Sequence, residues 1–596
     1  MLETCRIGRS SGGILEMNPS DTDSEQTERS VRVRPGSRVS VIVIRLSLWG
    51  WPRRLAPVII FAIGCSLILA DKKQGAERRI ETTIYVDPNH PNASDGNPGT
   101  RNQPVLTLSE ALSLAKESLH RNRATRIVIA KGIYREGVTL HNFTQSNETA
   151  LVLEAETKGQ TIITGSEIWS DWSKKDSDLY SHSWNQTWGL APYPAGWEGQ
   201  NLAPIVRRRE MVFNDGQPLY QALSMVELRA KPGSFYISED EHRIYVRLAS
   251  KPTDRQPNIE VTTRSKLLEV DGLHHLVLRG IVFEHAGSPI EEGAVSLDGC
   301  ENVNIDHCEF RWNNWIGLVI RSSRNVEASG NRANHNGGAG MTLWRIKDLM
   351  FEDNETSYNN WRGSWGGFTG WAVAGIKSLR IHGGTFKRHR STDNSARGFW
   401  LDFDCKNVSV DASFFCRNQS DGAFIEGSEG PISITKSVIC NNGDGLVIAN
   451  SPNVTLRQNV FYHNTGAQLL IGGESGGRSV TDWETQQGYK LNTTRLILSD
   501  NAIVAETGQK LLLTRLTAEQ SHALIQDLSS DDNVWFSGAG QTPFQLDGKQ
   551  MNLTGWRDAT GQDSRSSAAA PLFVDPAHDK FEFRPGSPLS KGAAMP

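Results

Sequence analysis

The chain repeats itself about every 23 residues between positions 300 and 470. Each unit starts at an apolar anchor residue, and the residue five positions later is usually apolar too. The anchors are Ile305, Ala328, Phe351, Ile381, Val410, Ile434 and Leu456. Eight positions after them stand Asn313, Asn336, Asn359, His389, Asn418, Asn442 and Asn464. A column of one residue type at a constant phase indicates units that stack on one another.

The repeat unit is made of short strands. Apolar residues alternate with polar ones in runs such as 303–305 and 446–448, and Asn, Gly and Ser turns separate these runs. Period-two alternation predicts strands, and a unit of roughly 20 to 30 residues without a helical stretch predicts a β-solenoid. We therefore predict an all-β fold, a right-handed parallel β-helix. We expect the asparagine side chains to hydrogen-bond from coil to coil.

The N-terminal 70 residues do not share this pattern. Residues 1–54 are polar and charged without periodicity, which predicts a disordered N-terminal extension. Arg53 and Arg54 then precede the apolar run 55–70, which is short for a membrane span of about 20 residues. The basic flank and the apolar run predict a signal peptide, with a signal anchor as the alternative. We thus expect an exported protein, in the periplasm, outside the cell or on its surface, with membrane attachment only if 55–70 is retained.

The remaining chain divides into three sections. We predict that residues 84–165 form an N-terminal cap and the first coils, with a capping helix at 109–119. Between 166 and 262 the coil rhythm stops and separate strands alternate around tight turns, which predicts an inserted small β-sandwich. Residues 263–596 predict the main β-helix and a closing segment. An excursion at 473–489 predicts a surface loop.

Composition excludes several classes of function. The net charge is −4, from 63 basic and 67 acidic residues, and no basic stripe suggests a nucleic-acid partner. The seven cysteines include no CxxC pair, and HExxH is absent, so we predict no metal site of that kind and no cofactor. Cys416 and Cys440 have the same phase in neighbouring units, which allows either a disulfide or a stack of reduced thiols.

Side-chain direction predicts an outward patch. In the strand after each repeat glycine the first and third residues are aliphatic and should point inward, so the second and fourth should point outward. This rule puts the following residues on one outer face: Arg321, Trp344, Lys377, Trp400, Asp402, Phe424 and Glu426.

Two acids of this patch, Asp402 and Glu426, occupy equivalent positions in neighbouring units. Neighbouring strands lie about 4.8 Å apart, so we expect the carboxyl groups about 5 Å apart. Retaining glycosidases separate their two carboxyls by about 5 to 5.5 Å, whereas inverting enzymes need about 6.5 to 9.5 Å. Two like charges this close push their pKa values apart, which leaves one carboxylate and one proton donor. The spacing favours a retaining glycoside hydrolase.

A motif here is shared with a broad group of bacterial β-helix proteins. It consists of Gly398, Trp400, Asp402, Asp404 and Asn407, followed by Gly422, Phe424 and Glu426. With a β-helix and an inserted β-sandwich, the chain resembles the retaining β-xylosidases of glycoside hydrolase family 120, within the pectate-lyase-like superfamily. The resemblance implies that Asp402 is the nucleophile, that Glu426 is the acid/base, and that the substrate is a glycan of plant or algal type.

The residues around the acids are predicted to bind substrate, because aromatic rings and cations commonly hold sugars in clefts. The predicted substrate-binding residues are Trp400, Asp404, Phe424, Lys377, Trp344, Arg321 and His389.

Two other functions are compatible with the same residues. In a calcium-dependent polysaccharide lyase, Asp402, Asp404 and Glu426 would supply oxygen ligands, and Lys377 or Arg397 would be the base. In a non-catalytic glycan-binding surface protein, the tryptophans would only stack on sugar rings.

Overall fold

The computed structural model describes residues 80–141, 149–197, 199–249, 258–538 and 541–589. The predicted extension 1–54 and the apolar segment 55–70 lie outside these described residues. Within the described residues, no helix combines the length and the apolar character needed to cross a membrane.

Parallel strands stack coil upon coil into three long sheets, which confirms the predicted parallel β-helix. The first sheet consists of Val138–Leu140, Leu268–Asp271, Gly293–Asp298, Ile316–Arg321, Ala339–Glu352, Ala374–Lys387, Arg397–Asp402, Ala423–Glu426, Leu446–Ala449, Ala467–Gly472, Lys510–Arg515 and Phe544–Leu546. Alternate residues of these strands enter one continuous apolar core, as at Phe399, Leu401, Ala423 and Ile425. Burial of this inward set drives the stacking, because each coil covers the apolar cross-section of the next.

The other two sheets complete each coil. The second sheet consists of Thr82–Val86, Thr125–Ile129, Leu151–Ala155, His274–Arg279, Glu301–Asp306, Arg324–Ser329, the second halves of Ala339–Glu352 and Ala374–Lys387, then Lys406–Asp411, Ile432–Thr435, Val454–Arg457, Ile497–Ser499 and Ser529–Asp531. The third consists of Gly132–Tyr134, Thr161–Thr164, Ile281–Glu284, Glu309–Arg311, Arg332–Asn334, Arg390–Thr392, Phe414–Cys416, Val438–Cys440, Val460–Tyr462, Ala502–Val504 and Val534–Phe536.

The asparagine column is a hydrogen-bonded ladder inside one corner of the coils. The side chain of Asn336 donates to that of Asn359 (3.1 Å), and Asn359 donates to Asn394 (3.0 Å). Asn394 in turn donates to Asn418 (2.8 Å). Each buried amide thus satisfies the next, which removes the cost of burying it.

The position of Asn394 in this ladder corrects the predicted register of one coil. The residue that pairs with Phe351 and Val410 is Phe386, so Phe386 is the anchor of that coil. The predicted anchor Ile381 lies five residues too early, because the long strand Ala374–Lys387 crosses two sheets and offers apolar residues at both phases.

The two cysteines predicted to stack lie in register on neighbouring coils and form a disulfide, Cys416–Cys440. The open choice between a disulfide and a thiol stack is thereby decided. The free cysteines of the described chain, Cys300, Cys308 and Cys405, are buried.

A helix, Leu108–His120, packs against the first coils. The Thr107 side chain accepts a hydrogen bond from the Glu110 amide and caps its first turn. Its apolar face joins the same core as the strands Thr82–Val86 and Thr125–Ile129. The helix therefore covers apolar surface that the first coil would otherwise expose.

Residues 166–262 form two sheets around a separate apolar core that includes Trp172, Phe235 and Ile244. The strands are Ser166–Trp169, Ser173–Lys174, Leu179–Ser183, Val212–Asn214, Gln217–Pro218, Tyr220–Ala222, Ser234–Ser238, Arg243–Arg247 and Ile259–Thr262, and the helices are Pro204–Arg207 and Met225–Ala230. Further elements are the helices Trp361–Trp365, Ala518–Asp527 and Leu553–Thr560, the 3₁₀ turn Pro576–His578, and the strands Arg478–Thr481, Gly488–Leu491, Lys549–Met551, Phe573–Asp575 and Lys580–Phe583.

Candidate active site

Two neighbouring strands of the first sheet place the two acids side by side. Arg397–Asp402 pairs in parallel with Ala423–Glu426, and Asp402 stands directly opposite Glu426. Trp400 stands opposite Phe424 in the same pair of strands. On the preceding coil Lys377 stands opposite Trp400. Five of the residues singled out from the sequence therefore lie together on three successive coils.

These side chains point away from the β-helix core, as alternation predicts, yet Trp400, Asp402 and Phe424 are buried, and Lys377 and Glu426 are partly buried. Their strand neighbours Phe399 and Leu401 belong to the core, whereas Trp400 and Phe424 form a separate outer cluster with Ala374. Only 5% of Asp402 and 3% of Trp400 is exposed to solvent. The outer face is thus a packed, low-dielectric surface at this point, where electrostatic interactions are stronger than in water.

The carboxylate of Asp402 has one oxygen held and one oxygen free. Lys377 Nζ lies 3.1 Å from Asp402 Oδ2 and also 4.1 Å from the centre of the Trp400 ring. Asp402 Oδ1 is buried and has no hydrogen-bond partner among the described residues. Burial raises the pKa of Asp402, while the Lys377 ammonium acts in the opposite direction. An unpaired buried oxygen is costly, which is typical of a group kept ready for a ligand.

Glu426 is the proton-holding member of the pair. Burial, followed by the negative charge of Asp402, raises the pKa of Glu426 to about 7. Lys377 contacts Asp402 directly, so Asp402 is the carboxyl that ionises more readily. The surroundings thus favour the carboxylate form more at Asp402 than at Glu426.

Two aromatic rings and a guanidinium group lie beside the acids. Trp400 and Phe424 stack with ring centres 5.5 Å apart. Arg397 lies over both rings, at 4.5 Å and 4.9 Å, and its Nε donates to Asp421 (2.7 Å). Trp400 Nε1 is a donor that is buried without a partner among the described residues.

Trp344 and Arg321 lie on the same outer face but farther from the acids. Trp344 pairs with Leu379, and Leu379 pairs with Asp402, so Trp344 is two coils away, about 10 Å along the sheet. Arg321 is one coil farther, and its guanidinium donates to the Glu291 carbonyl (3.0 Å).

Asp404 does not face the acids, and its prediction as a substrate-binding residue is wrong. Phe403 and Asp404 have positive φ angles of 44° and 52°, so the alternation of the strand ends after Asp402. The fully buried Asp404 carboxylate accepts hydrogen bonds from Tyr489 Oη (2.6 Å) and the Trp483 amide (2.8 Å). Asp404 therefore anchors the excursion after residue 472.

The prediction that His389 contacts a substrate is also wrong. His389 is fully buried, its Nδ1 lies 2.8 Å from the Asn354 carbonyl, and its Nε2 lies 3.1 Å from Thr356 Oγ1. Burial lowers its pKa to about 4. His389 stands three residues after the anchor Phe386. The equivalent residues of the two preceding coils are Asn331 and Asn354, whose side chains hydrogen-bond to each other (2.9 Å).

The oxygen ligands of the calcium-dependent alternative do not converge, because Asp404 turns away from Asp402 and Glu426. Within the part of the chain that the structure describes, one group has the spacing of metal ligands, formed by His382, Asp404 and Asp482. Lys406 Nζ lies 2.7 Å from Asp482 Oδ2 and 3.7 Å from Asp404 Oδ1. The Lys406 ammonium group thus supplies a positive charge beside these carboxylates.

Sequence reasoning missed the role of the excursion at 473–489, which was expected to be a surface loop. Its strands Arg478–Thr481 and Gly488–Leu491 form an antiparallel hairpin, which we call the site hairpin. Arg478 Nη2 lies 3.9 Å from Glu426 Oε1, and its guanidinium lies 4.5 Å from the Phe403 ring centre. Nothing in the repeat pattern marks this contact, because the excursion lies outside the repeats.

The chain is similar to known proteins in its repeat region and in its fold. A family model described as a right handed beta helix region matches residues 293–461. No curated protein matches the sequence. A solved structure of XylC in complex with xylose has a TM-score of 0.59 at 14% identity, and the match covers 83% of this chain and 87% of that chain.

Two further solved structures have lower scores. A glycoside hydrolase has a TM-score of 0.47 at 12% identity over 73% of this chain and 95% of its own. The A-module of the mannuronan C-5 epimerase AlgE4 of Azotobacter vinelandii has a TM-score of 0.45 at 12% identity over 82% and 100%. From the family match and the XylC likeness, the chain has a right-handed parallel β-helix fold.

Proposed function

We propose that this protein is a retaining glycoside hydrolase, with Asp402 as nucleophile and Glu426 as acid/base. The observation that carries the proposal is the direct pairing of Asp402 with Glu426 on adjacent coils, outside the core. The unpartnered Oδ1 of Asp402 and the raised pKa of Glu426 give the two carboxyls the separate roles that retention requires.

In the first step Asp402 Oδ1 attacks the anomeric carbon of the bound sugar. The bond to the glycosidic oxygen breaks, and that oxygen takes the proton of Glu426. Lys377 holds the other oxygen of Asp402 and favours its ionised form before attack. In the second step Glu426 accepts a proton from water, water attacks the anomeric carbon, and Asp402 leaves as carboxylate. Two displacements at one carbon retain its configuration.

The residues beside the acids and the likeness in fold suggest which class of substrate to test first. Trp400 and Phe424 offer apolar ring surface, and Trp400 Nε1 and Arg397 offer donors, which suits the mixed apolar and hydroxyl faces of a neutral sugar. The likeness to XylC, solved with xylose, makes xylosides the first substrates to test within the plant or algal type glycans expected. Export fits the Cys416–Cys440 disulfide, because disulfides persist in oxidising compartments.

The proposal is tested with a panel of aryl glycosides, xylan, pectin, alginate and fucose-rich glycans. We expect release of reducing sugar without the ultraviolet absorbance of an unsaturated uronate. Absorbance at that band, or retention on a polysaccharide column without turnover, would instead indicate a lyase or a binding protein.

Substitutions of the two acids test which carboxyl is the nucleophile and which is the acid/base. We expect Asp402→Asn to lose about 10⁴-fold or more of the activity and Glu426→Gln about 10²- to 10⁴-fold. Azide should restore turnover of an activated substrate in a Glu426→Ala variant and give a glycosyl azide of retained configuration, because it replaces the activated water in the second displacement; in an Asp402→Ala variant azide would attack directly and give the inverted azide. Asp411→Asn, on the outer face of the second sheet, is the matched control. Full activity in both acid variants would exclude the mechanism.

A further inference from the structure

The site hairpin begins at the same end of the first sheet as the two acids. It leaves the coil after Ala467–Gly472, whose last residue pairs with Ala449, and Ala449 pairs with Glu426. The hairpin therefore starts two coils beyond Glu426 and folds back past it, since its tip reaches Asp404, Lys406 and Lys347 on earlier coils.

A set of polar contacts, which we call the clasp, holds the hairpin in this position. Asp404 accepts from Tyr489 and from the Trp483 amide, and Lys406 Nζ donates to Asp482 (2.7 Å). Glu484 accepts from Lys347 (2.7 Å) and lies 2.7 Å from His382 Nδ1. These contacts reach three separate strands of the β-helix, so the hairpin is fixed relative to the acids.

Arg478 is the residue of the hairpin that reaches the acid pair. Its Nη2 lies 3.9 Å from Glu426 Oε1, its plane lies over Phe403, and its Nη1 pairs with Glu474. Only 30% of the Arg478 side chain and 18% of the Glu426 side chain is exposed. A guanidinium held on several sides is pre-organised, so it can constrain a neighbouring carboxyl at little further entropic cost.

We propose that Arg478 is a positioning residue for the reaction, which acts by orienting Glu426 and by stabilising its ionised form between the two displacements. This inference rests on the proposed function, because it assigns Glu426 the acid/base role. Glu426 must hold a proton before the first displacement, gives it to the leaving oxygen in that step, and must be a carboxylate when the second displacement begins. Burial and Asp402 favour the protonated form, whereas Arg478 favours the carboxylate.

The electrostatic role has a signature that a purely structural role lacks. Arg478 lowers the pKa of Glu426, so its removal should move that pKa further upward from about 7. The basic limb of the pH profile of kcat/KM reports loss of the essential proton. It should therefore shift to higher pH in Arg478→Gln, while Arg478→Lys, which keeps the charge, should stay near the wild type.

The experiment compares the full chain with Arg478→Gln, Arg478→Lys and the control Arg457→Gln. Arg457 pairs with Asp500 on the second sheet, away from the acids. We expect Arg478→Gln to lose about tenfold in kcat/KM at neutral pH and to shift the basic limb upward. We expect the Arg457→Gln profile to be unchanged. A uniform loss without a shift in Arg478→Gln would overturn the inference and leave the proposed function intact.

A second measurement separates the two proposals if no substrate is turned over. The Glu426 carboxyl is titrated by ¹³C NMR in glutamate-labelled protein, with Glu426→Gln used to assign its signal. An upward shift in Arg478→Gln supports the electrostatic contact even if the hydrolase proposal fails. An unchanged titration contradicts the inference irrespective of activity.

Discussion

At the scale of single residues, the two acids differ in what surrounds them. Asp402 is tied to Lys377, whereas Glu426 has its nearest cation, Arg478, at the longer distance of 3.9 Å. Loss of the Asp402 charge should leave the Lys377 ammonium without its partner, whereas loss of the Glu426 charge should relieve repulsion from Asp402.

We predict that Glu426→Gln stabilises the fold at pH 8 and that Asp402→Asn destabilises it. The folded-state pKa of Glu426, about 7, lies above its usual value of 4.5, so its contribution to stability is present below pH 4.5 and is lost as the pH rises through 7. Glu426→Gln should recover about 2 kcal/mol at pH 8 and little at pH 4. Asp402→Asn leaves Lys377 unpaired and should cost about 1 to 3 kcal/mol. Chemical unfolding at both pH values measures the difference, and a destabilised Glu426→Gln at pH 8 would contradict it.

Alternation and repeat phase predict the residues that share a regular strand. Trp400, Asp402, Phe424 and Glu426 follow from the rule that alternate side chains face opposite sides. The direction of the Asp404 side chain is not predicted by this rule, because the left-handed backbone at Phe403 and Asp404 ends the strand. The sequence at 402–404 gives no sign of that turn.

At the level of single elements, the position of the site hairpin depends on the charges of the clasp residues. Burial disfavours the charged imidazolium of His382, but its contacts with Asp404 and Glu484 outweigh burial and raise its pKa above the usual 6.5. A raised pKa means that the charged His382 stabilises the hairpin below pH 6.5, and that this contribution is lost as the pH rises through the folded-state value.

We predict that the hairpin opens more readily at alkaline pH, because neutral His382 no longer links Asp404 to Glu484. Hydrogen exchange of the Trp483 amide, which donates to Asp404, measures the opening after correction for the intrinsic rate. Its protection should fall between pH 6 and pH 9 in the wild type. It should be low and independent of pH in His382→Gln. The control His578→Gln, at an exposed pair with Asp575, should behave as the wild type. Constant protection in the wild type would disprove the role of His382.

Element boundaries were predicted where the repeat is regular and missed where it is interrupted. The coil that contains Ile381 is 35 residues long from Phe351 to Phe386, so the 23-residue phase no longer applied there. The hairpin lies outside the repeats, and its partner strands lie far away along the chain. Only the folded solenoid brings Lys347 and Glu484 together, 137 residues apart.

At the scale of the whole molecule, the last coil needs a closure as the first does. Asp563 is buried there and accepts from Trp535 Nε1 (2.8 Å) and Trp556 Nε1 (2.8 Å). The hydroxyls of Ser530 and Ser566 also donate to it (2.8 and 2.6 Å). One carboxylate thus connects the helix Leu553–Thr560 to the final strands.

We predict that Asp563→Ala destabilises the C-terminal coils by about 3 to 5 kcal/mol, because several buried donors lose their acceptor at once. Asp558→Ala, exposed on the same helix, is the control and should change stability by less than about 0.5 kcal/mol. Thermal unfolding measures both variants. Equal stability of the two would show that the closure does not depend on Asp563.

The repeat predicts the solenoid because each coil contacts mainly its neighbours. Packing between distant segments is not predictable in this way. The fully buried Arg362 donates to Gln221 Oε1 (2.8 Å) and to the Glu210 carbonyl (2.7 Å), which joins the helix Trp361–Trp365 to residues of the inserted section. No local pattern in the sequence pairs these residues, which are 141 and 152 positions apart.

The configuration of the first-formed product tests the retaining mechanism directly. The reaction of an aryl glycoside is followed by ¹H NMR before the released sugar can mutarotate. Because Asp402 and Glu426 stand opposite each other on adjacent strands, which lie about 4.8 Å apart, we expect a product with the configuration of the substrate. A product of inverted configuration would contradict it.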